Sequence, residues 1–145
     1  MRSNARGADF STGRQVDFTK VFVADASMSA NTINAKLSKG LDVVMSAGIY
    51  HLEAPLKLDT PNQVLLGLGI ATLVSSNGTP VVEVGNVDGI RVAGLLLQAG
   101  PKQTEALLLW GDGSHAGDKT NPGILQDVPM RVGGPEASGV QAESM

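Results

Sequence analysis

Apolar residues recur at every second position along most of this chain, in short runs cut off by glycine or a polar turn. Val43 alternates with Met45, Tyr50 with Leu52, Leu56 with Leu58, Val82 with Val84, and Ile90 with Val92. A period of two marks a β-strand with one buried face. His51, Glu53, Lys57, Glu83 and Arg91 fall on the outward face of these strands. Val64, Leu66 and Leu68 form the alternating set of another strand, and Leu107 to Trp110 is a further apolar run. Val128, Met130 and Val132 alternate once more before Gly133-Gly134-Pro135.

Two stretches read as rungs of one ladder: Val64–Gly69 and Ile90–Leu95. In each, an alternating strand meets a glycine where the backbone must bend. Asp59-Thr60-Pro61-Asn62, Ser75-Ser76-Asn77-Gly78 and Asn86-Val87-Asp88-Gly89 carry turn chemistry between runs. Repeated strands with bends at matching places predict a chain winding into stacked coils. Val43 to Val64 spans 21 residues and Val64 to Ile90 spans 26. The coils therefore share a core while their turns differ in length, with rungs about 4.8 Å apart.

One segment departs from the period of two. Ser27 or Ser29 can cap a helix start, Ile33 and Leu37 share a face, and Gly40 suits the stop. A helix of about ten residues here would cover the first coil's open core. Residues 1–26 read as a lead or linker containing a short strand at Val21-Phe22-Val23. Residues 27–134 read as the coils with their cap, and 135–145 as a non-periodic tail. No apolar face after Pro135 suits a second cap, so the last coil is expected to stay open and invite self-association.

Composition narrows the class. Eighteen glycines and seven prolines among 145 residues favour many short strands over long helices. Only 3% of residues are aromatic, so Val, Leu, Ile and Ala must build the core. Net charge is −3 with no basic cluster, which argues against nucleic acid as a partner. The absence of cysteine excludes a disulfide framework, a thiolate metal site and a thiol nucleophile. No apolar run approaches the roughly 20 residues of a membrane span. No apolar stretch follows the first residues as a signal peptide would require.

With helix and strands in order, the chain resembles the pectate-lyase-like superfamily of right-handed parallel β-helices. The resemblance rests on Thr32–Leu37, on Val43–Leu52, on Val64–Gly69 and on Asn86–Leu95. The last is close to the family's asparagine-valine-x-x-isoleucine-x-x-glycine-leucine coil. Ser46-Ala47 departs from it where the family often has proline. The resemblance covers about residues 27–134 and implies an all-β solenoid of a few coils behind one short N-terminal capping helix. It also implies a polysaccharide partner and an extracellular or cell-surface setting. The family's catalytic residues generally lie in middle coils, so none is carried over. The chain reads as the first coils of a longer helix.

Candidate chemistry is sparse. Glycoside hydrolysis needs two carboxyl groups about 5–10 Å apart. Glu53, Asp59, Glu83 and Asp88 are the outward or turn acids that neighbouring rungs can bring together, although such acids usually serve solvation. Glu83 and Arg91 are a candidate surface ion pair. The loop from Gly111 to Pro122 and the residues just after it collect oxygen ligands suited to calcium: Asp112, Asp118 and Asp127, with Ser114 and Asn121. Their spacing does not match an EF-hand, and no cofactor is otherwise implied. Trp110 at the mouth of this loop, with His115, is the candidate carbohydrate contact, against a core role for the indole. Three functions follow as expectations. They are a polysaccharide-binding coil module without catalysis, a small glycoside hydrolase or polysaccharide lyase, and a self-associating structural solenoid.

Overall fold

The computed structural model describes residues 15–133. After a single helical turn at Phe18–Lys20, the chain runs β1 (Val21–Ala24), α1 (Ala30–Leu37), β2 (Asp42–Met45), β3 (Ile49–Leu52) and β4 (Leu56–Leu58). It continues with β5 (Val64–Ser75), β6 (Val82–Val84), β7 (Arg91–Gln98), β8 (Leu108–Trp110), β9 (Ile124–Gln126) and β10 (Met130–Arg131). All strand pairs are parallel. The arrangement is a β-solenoid of about four turns, the all-β parallel β-helix that the pattern predicts.

The cross-section has three faces. β1, β2, the first half of β5, the first half of β7 and β9 stack on one face. β3, the second half of β5, the second half of β7 and β10 stack on the next. β4, β6 and β8 form the third. Inside, the rungs align into ladders: Val43–Leu65–Val92, Tyr50–Leu73–Leu97 and Leu56–Val82 are all fully buried. Each such side chain contributes about 1.5–3 kcal/mol by leaving water. The Tyr50 hydroxyl lies 3.0 Å from the Ala24 carbonyl and 2.9 Å from that of Ser46, so the one buried phenol is satisfied.

Helix α1 closes the first end in two ways. Ser29 caps its start, accepting from the Thr32 amide, and Ala30, Ile33 and Leu37 lie buried against the core. Asn34 then imitates a strand. Its side chain donates to the Pro55 carbonyl at 2.8 Å and accepts from the Lys57 amide at 2.9 Å, occupying the free edge at β4. Buried Gln63 donates to the Leu37 and Leu41 carbonyls, both at 2.8 Å, tying the helix end to the second coil.

Several sequence expectations need correction. α1 has eight residues, not about ten. Val21–Ala24 pairs with β2, so the coils begin ahead of residue 27; residues 1–14 and 134–145 lie outside the described residues. The alternating set at Val64, Leu66 and Leu68 faces outward, with Leu68 52% exposed, and Leu65 is the buried rung. Val64 stands over Arg91 rather than Ile90, and Val43 over Leu65 rather than Val64. The repeats are therefore 27 and 22 residues. A one-residue slip is decisive in a strand, because it exchanges the two faces. Glycine sets the true register. Gly94 has φ +66, and a β-carbon on Gly67 would lie 2.3 Å from the Gly94 carbonyl oxygen. The expected Glu83–Arg91 pair does not form: Glu83 meets Lys57, its in-register neighbour, at 3.4 Å. Arg91 lies on another face and donates to the Gly89 carbonyl.

Candidate functional site

A cleft of about 810 Å³ lies where β6 and β8 hand the chain to their following turns. One wall is the short turn 85–89 after β6, and the other is the long loop 111–123 after β8. Two glycan candidates from the sequence, Trp110 and His115, both line it, together with Asp88, Asp118 and Lys119.

Trp110 gets its place from the ladder. It stands in register over Val84 and Leu58, so it continues an inward row at the β8 rung. Its backbone position continues the row, yet 38% of the residue stays exposed. Gly123 packs against it so closely that a β-carbon there would lie 2.4 Å from the ring.

The loop is held to the turn by polar contacts between coils. Asn86 donates to the Asp112 carboxylate at 2.8 Å and to the Ser114 hydroxyl at 3.1 Å, and accepts from the Asp112 amide at 3.2 Å. Asp88 accepts from the Asp118 amide at 2.8 Å and lies 3.0 Å from His115 Nε2. Asn121 reaches past Gly89 to donate to Asn62 at 2.9 Å, two coils away. These contacts shift the acids. The Asp118 amide, then His115, hold the Asp88 carboxyl below its usual range. The Ser114 hydroxyl and amide, then Asn86, draw Asp112 down to about 2. The Thr120 hydroxyl and amide lower Asp118.

The metal candidates are brought together less well. Asp112 and Asp118 each fold back on a residue two positions ahead, and Asp127 sits at the corner between β9 and β10 with φ 50. Among the described residues, no three His, Cys, Asp or Glu side chains converge as a ligand set.

The four acid candidates fall in three hollows, with Asp59 and Glu83 sharing one. Glu53 borders a cavity beside residues 26–31, Asp88 the main cleft, and Asp59 and Glu83 a shallow depression outside β4 and β6. Sequence reading missed Asn86 as the loop's anchor and Lys119 as the cleft's cation. The signal lay in the repeat: 26 residues separate Asn86 from Asp112, and 27 separate Asp88 from His115.

The LAM55 pectate lyase-like domain matches residues 21–145. The chain belongs to this family. A curated relative, an exo-beta-1,3-glucanase of Streptomyces sp. (strain SirexAA-E / ActE), is 41% identical over 138 residues. That match takes in 92% of this chain and 23% of the relative. The solved structure of sacteLam55A from Streptomyces sp. SirexAA-E superposes with a TM-score of 0.80 at 40% identity. A variant of the same protein, in complex with glucose, matches equally well. The chain spans about a quarter of these LAM55 relatives, covering 92% of itself and 25% of the solved chain. It is thus homologous to part of a glycoside hydrolase. No helix among the described residues is long and apolar enough to cross a membrane.

Proposed function

We propose that this chain is the cap-bearing first part of a secreted β-1,3-glucan-processing solenoid, which holds glycan in the Trp110–His115 cleft without cleaving it. The half-exposed Trp110 face among polar side chains in that cleft carries this reading. A hydrolase needs an acid and a second carboxylate facing one bond. Here Glu83, which shares its depression with Asp59, is engaged by Lys57, and Asp88 is held by His115 and the Asp118 amide. The cleft instead offers what holds a sugar: an indole face for the ring's C–H groups, with Asp88, His115 and Lys119 for its hydroxyls. Kinship with a glucanase supports a β-1,3-glucan as the polymer.

The test is incubation of the purified chain with soluble β-1,3-glucan, followed for binding and for released glucose. Binding without glucose release is expected. Release that disappears on Glu83→Ala or Asp88→Ala would establish the small-enzyme alternative instead. A second reading draws on the exposed fourth rung, where Leu125 is 45% and Ile124 41% exposed. Copies of the chain then associate through that rung. Sedimentation should show mass rising with concentration, and a monomer at all concentrations would contradict it.

A further inference from the structure

We infer that the glycan site is an extended groove, taking an internal stretch of a β-linked glucan rather than a single sugar. This deepens the reading above and rests on it. The observation is a shared floor. The depression outside β4 and β6, about 220 Å³, and the main cleft are both lined by Gly85 and Gly111. These two glycines follow directly after β6 and β8, so they line one corner of successive coils. Neither carries a side chain that could wall the two hollows apart. A β-carbon at Gly85 would lie 2.4 Å from the Asp59 carboxylate, and Gly111 has φ +63. A larger residue is therefore disfavoured at both, and the Asp59 carboxylate lies over Gly85 at the boundary of the two hollows.

The outer hollow has its own sugar-binding chemistry. Lys57, Glu83 and Leu109 form one outward row across β4, β6 and β8. The Lys57–Glu83 pair presents an ammonium that donates to hydroxyls beside a carboxylate that accepts from them. Leu109, 38% exposed, offers an apolar patch for a pyranose face. Asp59 adds a second acceptor. A sugar stacked on Trp110 then has its neighbours directed over Gly111 toward Lys57 and Glu83.

Trp110 is the chain's one tryptophan, so its fluorescence reports on the cleft directly. Titration of the full chain with β-1,3-linked gluco-oligosaccharides, from disaccharide to hexasaccharide, should show affinity rising about tenfold or more with length. Lys57→Ala and Glu83→Ala should each remove that gain with length. Equal affinity for short and long oligosaccharides would overturn the groove but leave the cleft. So would a hexasaccharide affinity indifferent to both substitutions. No fluorescence change with any oligosaccharide, and no binding by calorimetry, would overturn the glycan reading itself.

Discussion

The two ends of the coil stack are built from the same ladders and finished differently. At the β2–β4 end, Val43, Tyr50, Leu56 and Leu58 are fully buried beneath α1 and its neighbours. At the other end the same rows reach Leu125, 45% exposed, and Trp110, 38% exposed, with Leu108 and Met130 only partly covered. Edge protection differs in the same way. Asn34 occupies the β4 edge, whereas β8, β9 and β10 have no further strand beside them among the described residues. The lesson is that a solenoid's coils are nearly equivalent in sequence pattern, and what lies beyond them decides which are stable.

That contrast can be attacked by substitution. Leu65→Ala empties a position enclosed by coils on both sides and should cost about 2–5 kcal/mol in urea unfolding. Leu125→Ala, in the same row, should cost under about 1 kcal/mol, because the residue already meets water. Similar losses would mean that the fourth rung is covered in solution. Gly67→Ala drives a methyl into the Gly94 carbonyl and should cost about 1–3 kcal/mol, read from the thermal midpoint. Asn34→Ala leaves the Pro55 carbonyl and Lys57 amide without their partner. A loss of about 1–2 kcal/mol is expected, with faster hydrogen exchange at β4.

The smallest effect concerns pH. Asp88 and Asp112 are both lowered from 3.8, Asp112 to about 2. Ionised, they favour the docked loop; this support is complete above about pH 4 and is lost as pH falls through the lowered values. Amide exchange or NMR shifts of residues 111–121 should therefore change between about pH 4 and 2, while β2 and β5 do not. Loss of the loop signals above pH 5 would contradict the assignment.

Much of this architecture was legible in the sequence. The period of two at Tyr50–Leu52 and Val82–Val84, the Ser29 cap and the Gly94 bend each have one local physical cause, and each is found in place. Register was not legible at Val64–Leu66, because three successive apolar residues satisfy either face and only Gly67 against Gly94 decides between them. Glu83's partner failed for a related reason: Lys57 and Arg91 are both outward, and which of them is adjacent depends on the corner between faces. The site was half legible. Trp110 and His115 were visible as residue types, but their meeting with Asp88 depends on coil lengths that grow from 22 to 27 to 33 residues.

The central claim is that, among the described residues, the β2–β4 end of the stack is covered and the β8–β10 end is exposed. Native-state hydrogen exchange followed by mass spectrometry tests it most directly, because protection tracks local opening free energy. The strongest protection should fall in β2, β5 and the first half of β7, and β9 and β10 should exchange fastest among the strands. Protection in β9 and β10 equal to that in β2, in a monomer at low concentration, would contradict it.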